Sequence, residues 1–193
     1  MRVLLFVLTF VSTTWAGAVQ PVAGVIIRTG QDILLQSDDT ACASYRIETK
    51  SADAQSALQK LAPGDTITAT GLIDKSVCTA SIESIDYVGL KRMLGNWFSK
   101  DGLITVRDFT NLQFFPTGNT EISKNYDIVK PIEYKYSLTP SDGKEWVLFL
   151  SDNQSTTFAT IQFSKDIAIM KIFDSDSGEV KKTMILNRRG TSN

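Results

Sequence analysis

The chain has 193 residues, of which 42% are apolar and 21% charged, with 12 glycines and 5 prolines. This is the composition of an ordinary globular protein, and it excludes a disordered, collagen-like or coiled-coil chain. The formal net charge is −1 and the sequence contains no histidine. The chain therefore has no electrostatic reason to bind nucleic acid or an acidic membrane, and it lacks the commonest general base and metal ligand.

The first eighteen residues have the pattern of a secretory signal peptide. Arg2 supplies a positive charge, residues 3–11 are apolar apart from Thr9, and Ala16-Gly17-Ala18 supplies the small residues of a cleavage site. The apolar run is about half of the ~20 residues that a membrane-spanning helix needs. We therefore expect cleavage after Ala18, a periplasmic or secreted mature chain, and no stable membrane insertion.

The two cysteines, Cys42 and Cys78, are predicted to form one disulfide. In an oxidising compartment an even number of cysteines indicates a bridge. Two thiolates without histidine make half of a zinc site, and the pair lacks the C-x-x-C spacing of redox enzymes. A structural disulfide is the prediction.

Residues 19–90 alternate with period two and are interrupted by turn signals. Strands are predicted at 22–29 and 32–36, joined as a hairpin at Gly30, and at 43–50. Ser51 can then cap a helix, and two further strands follow at 65–74 and 79–88. The apolar stripe predicted for this helix consists of Ala54, Ala57, Leu58 and Leu61.

Three strands, one helix and two strands in this order resemble an OB-fold. The resemblance implies that the third and fifth strands are parallel neighbours, which would bring Cys42 and Cys78 to the same end of the barrel. OB-folds often bind oligonucleotides, but residues 19–90 contain five basic and nine acidic side chains, a net charge of −4. Only Tyr45 and Tyr87 are available for base stacking in this region. We therefore expect no nucleic-acid binding.

The second half of the chain is predicted to contain strands only. Short polar turns separate the predicted strands, and such regular spacing indicates a sandwich or an up-and-down barrel. Residues 119–131 are the one long irregular stretch, and we expect them to form a loop over the barrel mouth. The predicted strands are 96–99, 103–109, 112–117, 133–139, 145–151, 156–164, 167–173 and 180–188.

A second resemblance begins with residues 90–94, which are followed by Gly95-Asn96-Trp97. This segment resembles the start of a lipocalin or related calycin, in which a short helical turn precedes a Gly-x-Trp and the tryptophan closes the barrel base. The resemblance implies that a basic residue of the last strand, Arg188 or Arg189, packs over the Trp97 ring. Residues 91–193 are few for such a barrel, so both an internal cavity and a barrel filled by its own side chains stay open.

The predicted fold is mainly β, with two small β-barrel domains. The first, residues 19–90, is five-stranded and OB-like with one helix. The second, residues 91–193, is an up-and-down lipocalin-like barrel. We expect each domain to have its own hydrophobic core.

Neither of two chemical motifs leads us to expect catalysis or metal binding. Ser141 and Lys144 have the Ser-x-x-Lys spacing of some acyl enzymes, but they lie in a predicted hairpin rather than on a helix. Asp174, Asp176 and Glu179 suggest a calcium loop, but the position of the third ligand holds serine or glycine. We expect no catalytic residues, no cofactor and no metal.

Two binding functions are considered. Residues 146–150 are apolar on both faces of their strand and residues 167–173 nearly so. We therefore expect the outer face to be covered by the first domain, by a loop such as residues 119–131, or by a partner. The leading expectation is a non-enzymatic interaction protein of the cell envelope or extracellular space, with a protein partner. The alternative is a carrier of a small apolar ligand inside the second barrel. For that carrier the candidate lining residues are Trp97, Phe109, Phe114, Trp146, Phe158 and Phe163.

Overall fold

The computed structural model describes residues 19–39, 41–117 and 130–188. The predicted signal peptide lies outside the described residues, as does the predicted mouth loop apart from Lys130 and Pro131. The described residues form a mainly β protein with one α-helix, as predicted.

The first five strands begin and end within two residues of their predicted positions. Ser51 caps the helix, because its Oγ accepts a hydrogen bond from the backbone N–H of Ala54 at 3.1 Å. Lys60 is the C-cap of the helix, and its Nζ donates to the carbonyl of Ser141 in the second half of the chain. The elements are β1 (Gln20–Thr29), β2 (Asp32–Gln36), β3 (Tyr45–Thr49), α1 (Ala52–Gln59), β4 (Thr66–Asp74) and β5 (Thr79–Gly89).

These five strands pair in a closed ring in the order β1-β2-β3-β5-β4, with β4 returning to β1. The neighbours are antiparallel except β3 and β5, which run parallel with Arg46 opposite Thr79. Parallel neighbours start at the same end of a sheet, and Cys42 and Cys78 lie just before these two starts. The predicted disulfide is present, with the two Cα atoms 5.8 Å apart.

The remaining eight strands form a closed antiparallel barrel. Each strand pairs with the next along the chain, and β13 closes the ring by pairing with β6, with Arg188 opposite Trp97. The strands are β6 (Gly95–Ser99), β7 (Gly102–Val106), β8 (Asn111–Pro116), β9 (Ile132–Pro140), β10 (Trp146–Ser151), β11 (Thr156–Ser164), β12 (Ile167–Phe173) and β13 (Val180–Arg188).

The two ends of this barrel differ in their surroundings. One end lies beside a short 3-10 turn, Lys91–Met93, and we call it the base. The opposite end carries the β10–β11 turn, residues 152–155, and the β12–β13 hairpin, residues 174–179, and we call it the mouth.

The five-stranded ring and the eight-stranded barrel share buried surface. β5 pairs with β9 at Val88 and Leu138, and Phe109 lies against Gly89, where a Cβ atom would come within 2.8 Å of its ring. The expectation of two separate cores is wrong, because the buried side chains form one contiguous cluster. The cause is the chain that follows β5, since Leu90 and Met93 are both buried between the two rings. A domain boundary at residue 90 stays a prediction.

The outer wall formed by β10–β13 is exposed. Phe149, Ile167 and Ile169 retain 38%, 45% and 40% of their accessible surface, so the first ring does not cover them. The first ring instead contacts β9, the β9–β10 turn and the base. Of the alternatives expected to cover this wall, docking of the first domain is therefore wrong.

Candidate ligand cavity in the barrel

Large aromatic side chains fill the base of the eight-stranded barrel. Trp97 and Trp146 are each 1% exposed. The indole Nε1 of Trp97 donates to the backbone carbonyl of Met93 in the 3-10 turn at 2.9 Å. Its ring centroid lies 5.8 Å from that of Phe163. The core is therefore solid at this end, and a buried indole with a satisfied N–H is the favourable form of such packing.

Two arginines cover these aromatic rings. The guanidinium carbon of Arg188 lies 5.4 Å from the Trp97 ring, and the side chain also donates to the carbonyl of Leu94. This is the contact that the Gly-x-Trp resemblance implied, while Arg189 lies outside the described residues. Arg92 lies over Phe163 and Trp146, at 4.8 and 5.7 Å from their centroids. Cation–π contacts of this kind close the base.

Gly95 fits this arrangement for a steric reason. Its φ of +114° is strained for side-chain-bearing residues, and a Cβ would lie 3.2 Å from Nη2 of Arg188. The glycine of the Gly-x-Trp segment therefore leaves room for the cation that covers the tryptophan.

A buried carboxylate fixes the 3-10 turn to the first ring. Asp65 is 1% exposed, and its two oxygens accept the backbone N–H groups of Ala62 and Lys91, each at 2.7 Å. Burial raises the pKa of Asp65, although these hydrogen bonds and the charge of Arg92 act in the opposite direction. Burial likewise lowers the pKa of Arg92. We call this connection between Asp65 and the 3-10 turn the joint. It holds Arg92, which belongs to the turn, in position against the base.

The mouth contains a cavity of about 570 Å³. On β10 and β11 the inward side chains are smaller at the mouth than at the base. Leu150 lies opposite Thr157 at the mouth, whereas Trp146 and Phe163 occupy the base end of the same two strands. A pocket of several hundred Å³ is the size that small-molecule ligands occupy. Its apolar lining inside the barrel consists of Ile104, Leu112, Phe114, Tyr134, Leu150, Met170, Ile172 and Met184.

The charged groups of this cavity lie at its rim. Lys182 Nζ lies 3.0 Å from Asp101 Oδ1, and Lys181 Nζ lies 4.0 Å from Asp174 Oδ2. The Asp174 carboxylate also accepts backbone N–H groups of its own hairpin, including that of Ser177, and these hydrogen bonds lower its pKa. Over the ranges that the structure describes, no three acidic, cysteine or histidine side chains are grouped to hold a metal.

The six side chains predicted to line a ligand site fall in three places. Phe114 and Phe158 line the cavity. Trp97, Trp146 and Phe163 close the base. Phe109 lies between the two rings against Gly89, and its carbonyl accepts a hydrogen bond from the hydroxyl of Tyr87.

Most of the cavity lining was not named from the sequence. Leu150, Met170, Ile172 and Met184 are aliphatic or sulfur-containing residues of ordinary strands. Their period-two spacing does indicate an inward face. Whether one end of the barrel stays empty, however, depends on the volumes of all the side chains around the ring. Three of the six aromatic residues selected from the sequence lie at the filled base instead.

A second depression of about 510 Å³ lies outside the barrel beside β8 and β9. Its side chains are mixed in charge, including Arg107, Asp108, Glu133 and Lys135. Hydrogen bonds from the Asn111 side chain and from Thr110 lower the pKa of Asp108 to about 2, so this carboxylate stabilises its own turn. Within the described ranges the one fully buried carboxylate is Asp65, so two buried acids do not converge as acid–base catalysis would need.

Comparisons of the chain with protein-family models, with curated proteins and with solved structures return no match. Over the described residues, no helix has the length and apolar character needed to cross a membrane.

Proposed function

We propose that this protein binds a small apolar ligand in the mouth of its eight-stranded barrel and carries it. The observation that carries the proposal is the cavity of about 570 Å³, whose inner lining is mostly apolar and whose charged groups lie at the rim. Burying apolar ligand surface there contributes about 25 cal/mol per Å². Polar groups such as those of Lys182 and Asp101 leave the inner wall apolar and keep the opening hydrated.

The finer identity of the two rings belongs to the same proposal. The parallel β3–β5 pair and the single helix support an OB-like first domain, residues 19–90. The Trp97–Arg188 contact at the base supports a lipocalin-like second domain, residues 91–193. The Cys42–Cys78 disulfide supports a periplasmic or secreted location. We propose a non-enzymatic role without cofactor, metal or nucleic acid.

A matched pair of variants tests the ligand site. Thr157 faces the cavity and Thr183 faces outward from β13, where it is exposed. In a fluorescence titration with N-phenyl-1-naphthylamine, a small uncharged apolar probe, Thr157→Trp should weaken binding by about tenfold, or 1.4 kcal/mol. Thr183→Trp should bind as the wild type does. Equal affinities for the two variants would contradict the proposal.

A protein-interaction role is the second candidate. The observation that favours it is the outer wall of β12 and β13, where Ile167, Ile169 and Ile185 are exposed. Monomers rarely expose contiguous apolar patches without a binding function. If the wild type fails to bind the probe at all, this second candidate takes precedence.

A further inference from the structure

A row of apolar side chains crosses four neighbouring strands on the outer face at the mouth. Phe149 pairs with Phe158 across β10 and β11, and their ring centroids are 5.7 Å apart. Phe158 stacks on Phe173 of β12 at 5.0 Å, and Phe173 pairs with Val180 of β13. We call these four residues the lip.

The lip is exposed and continues into the cavity. Phe149, Phe158 and Val180 retain 38%, 39% and 49% of their accessible surface. Phe158 and Phe173 also line the cavity. Phe158 and Phe173 therefore belong both to the outer wall and to the cavity lining at the edge of the mouth.

The lip is narrow. The next outward-facing row along the same strands holds Val147, Thr160, Lys171 and Thr183, so it is polar on β11, β12 and β13 and half-buried at Val147 on β10. Lys171 is ion-paired with Glu145 at 2.7 Å. The apolar band is thus about one residue deep at the mouth. A stable protein interface buries ~800 Å² on each partner, far more than a single row offers.

The charges beside the lip leave a small negative balance. The β10–β11 turn carries Asp152, the β12–β13 hairpin carries Asp174, Asp176 and Glu179, and Lys181 and Lys182 follow at once. This balance gives no attraction to a strongly anionic surface, since basic clusters are what draw proteins to acidic lipids. Phenylalanine, by contrast, is among the side chains that surface-bound amphipathic helices bury at the boundary between lipid and water.

We infer that the lip makes reversible contact with the surface of a zwitterionic lipid bilayer, so that the ligand passes between bilayer and cavity without crossing water. The ligand's source is then the bilayer itself. The inference rests on the proposed function for the purpose of the contact, whereas the contact can be measured with no ligand present.

The test is co-flotation of the ligand-free full chain with vesicles of pure dioleoylphosphatidylcholine. Phe149→Ser removes a lip residue that does not line the cavity, and Ile185→Ser removes an equally apolar exposed residue of the same wall beyond the polar row. Phe149→Ser should reduce the vesicle-bound fraction roughly fivefold, from the apolar surface no longer buried in lipid. Ile185→Ser should float as the wild type does.

Several outcomes separate this inference from the proposed function. Equal flotation of the two variants, whether both float as the wild type does or both are lost from the vesicles, overturns the inference, and so does no flotation of the wild type. Val180→Ser provides a second lip variant should Phe149→Ser fail to fold. Probe titration without vesicles should give the same affinity for Phe149→Ser and wild type, and failure of the wild type there overturns the proposed function alone.

Discussion

The base and the mouth of the eight-stranded barrel are built from the same alternating strands and yet have opposite properties. At the base, Arg92 and Arg188 cover the rings of Trp97, Trp146 and Phe163. At the mouth, Phe114 and Tyr134 share the inner face with threonine, leucine, isoleucine and methionine side chains, and a cavity of about 570 Å³ remains. The comparison teaches that strand topology sets the outline of a small barrel, while side-chain volume along the inner face decides which end is solid.

The largest expected effect is a difference in stability between the two ends. Trp97→Ala should lower the free energy of unfolding by about 3–5 kcal/mol, because a fully buried side chain leaves a void in a solid region. Leu150→Ala at the mouth should cost about 2 kcal/mol, the low end for such a change, since the site already borders a cavity. Chemical denaturation of both variants measures the difference, and equal losses would mean that the two ends are packed alike.

Removal of the disulfide should affect the first ring and leave the mouth unchanged. The bridge closes a loop with a sequence separation of 36 residues. In the chain-entropy model its loss costs roughly 3.5–4 kcal/mol of stability. The Cys42→Ser and Cys78→Ser double variant should therefore unfold at a lower denaturant concentration but bind the naphthylamine probe with wild-type affinity under native conditions. A parallel loss of probe binding would show that the mouth depends on the first ring.

Substitutions of charged side chains at the two ends should differ less in their effect on the free energy of unfolding. Arg188→Met removes a cation that lies over a buried indole, and we expect a loss of about 0.5–2 kcal/mol. Lys182→Met removes an ion pair whose lysine is 43% exposed, and such pairs contribute about 0–1 kcal/mol. Thermal unfolding of the two variants compares them. A larger loss for Lys182→Met would contradict the assignment of the base as the structural end.

The smallest effect is the pH dependence of one carboxylate at each end. The pKa of Asp65 is raised in the folded state, so its contribution to stability is present below the unfolded pKa of ~3.9 and is lost as the pH rises through the folded value. The pKa of Asp174 is lowered, so its contribution is present above that value and is lost as the pH falls through the folded one.

Stability measured against pH for Asp65→Asn and Asp174→Asn, each relative to wild type, should therefore show slopes of opposite sign. The free energy of unfolding of Asp65→Asn should rise relative to that of the wild type as the pH rises from about 4 to neutral. That of Asp174→Asn should fall relative to the wild type as the pH rises from about 2 to 5. Two slopes of the same sign would mean that Asp65 is not desolvated at the joint.

Much of the fold could be predicted because its signals are local. Period-two alternation located the strands, Ser51 marked the helix start, and turn chemistry separated the hairpins. The Cys42–Cys78 bridge was predicted from two cysteines in a chain expected to be exported, and the OB-fold resemblance implied that they lie at one end of the barrel. The Gly-x-Trp resemblance likewise implied that Arg188 or Arg189 packs over Trp97, and the structure has Arg188 there.

The candidate site could be predicted only in part. Whether the inner face is filled depends on the sum of many side-chain volumes around a closed ring, and no short segment records that sum. Leu150 and Met184 line the cavity although nothing distinguishes them locally from Leu148 and Leu186, which are buried nearer the base. The contiguous core was missed for a similar reason, since Leu90 and Met93 belong to a connecting segment and yet lie between the rings.

The most direct test of the account is a crystal structure of the protein soaked with iodobenzene, whose iodine can be located by anomalous scattering. If the cavity at the mouth is a ligand site, iodine should lie inside the barrel, in contact with Leu112, Met170 and Met184, and not at the base beside Trp97. A barrel interior closed by its own side chains, with iodine bound on the outer wall alone, would contradict the account.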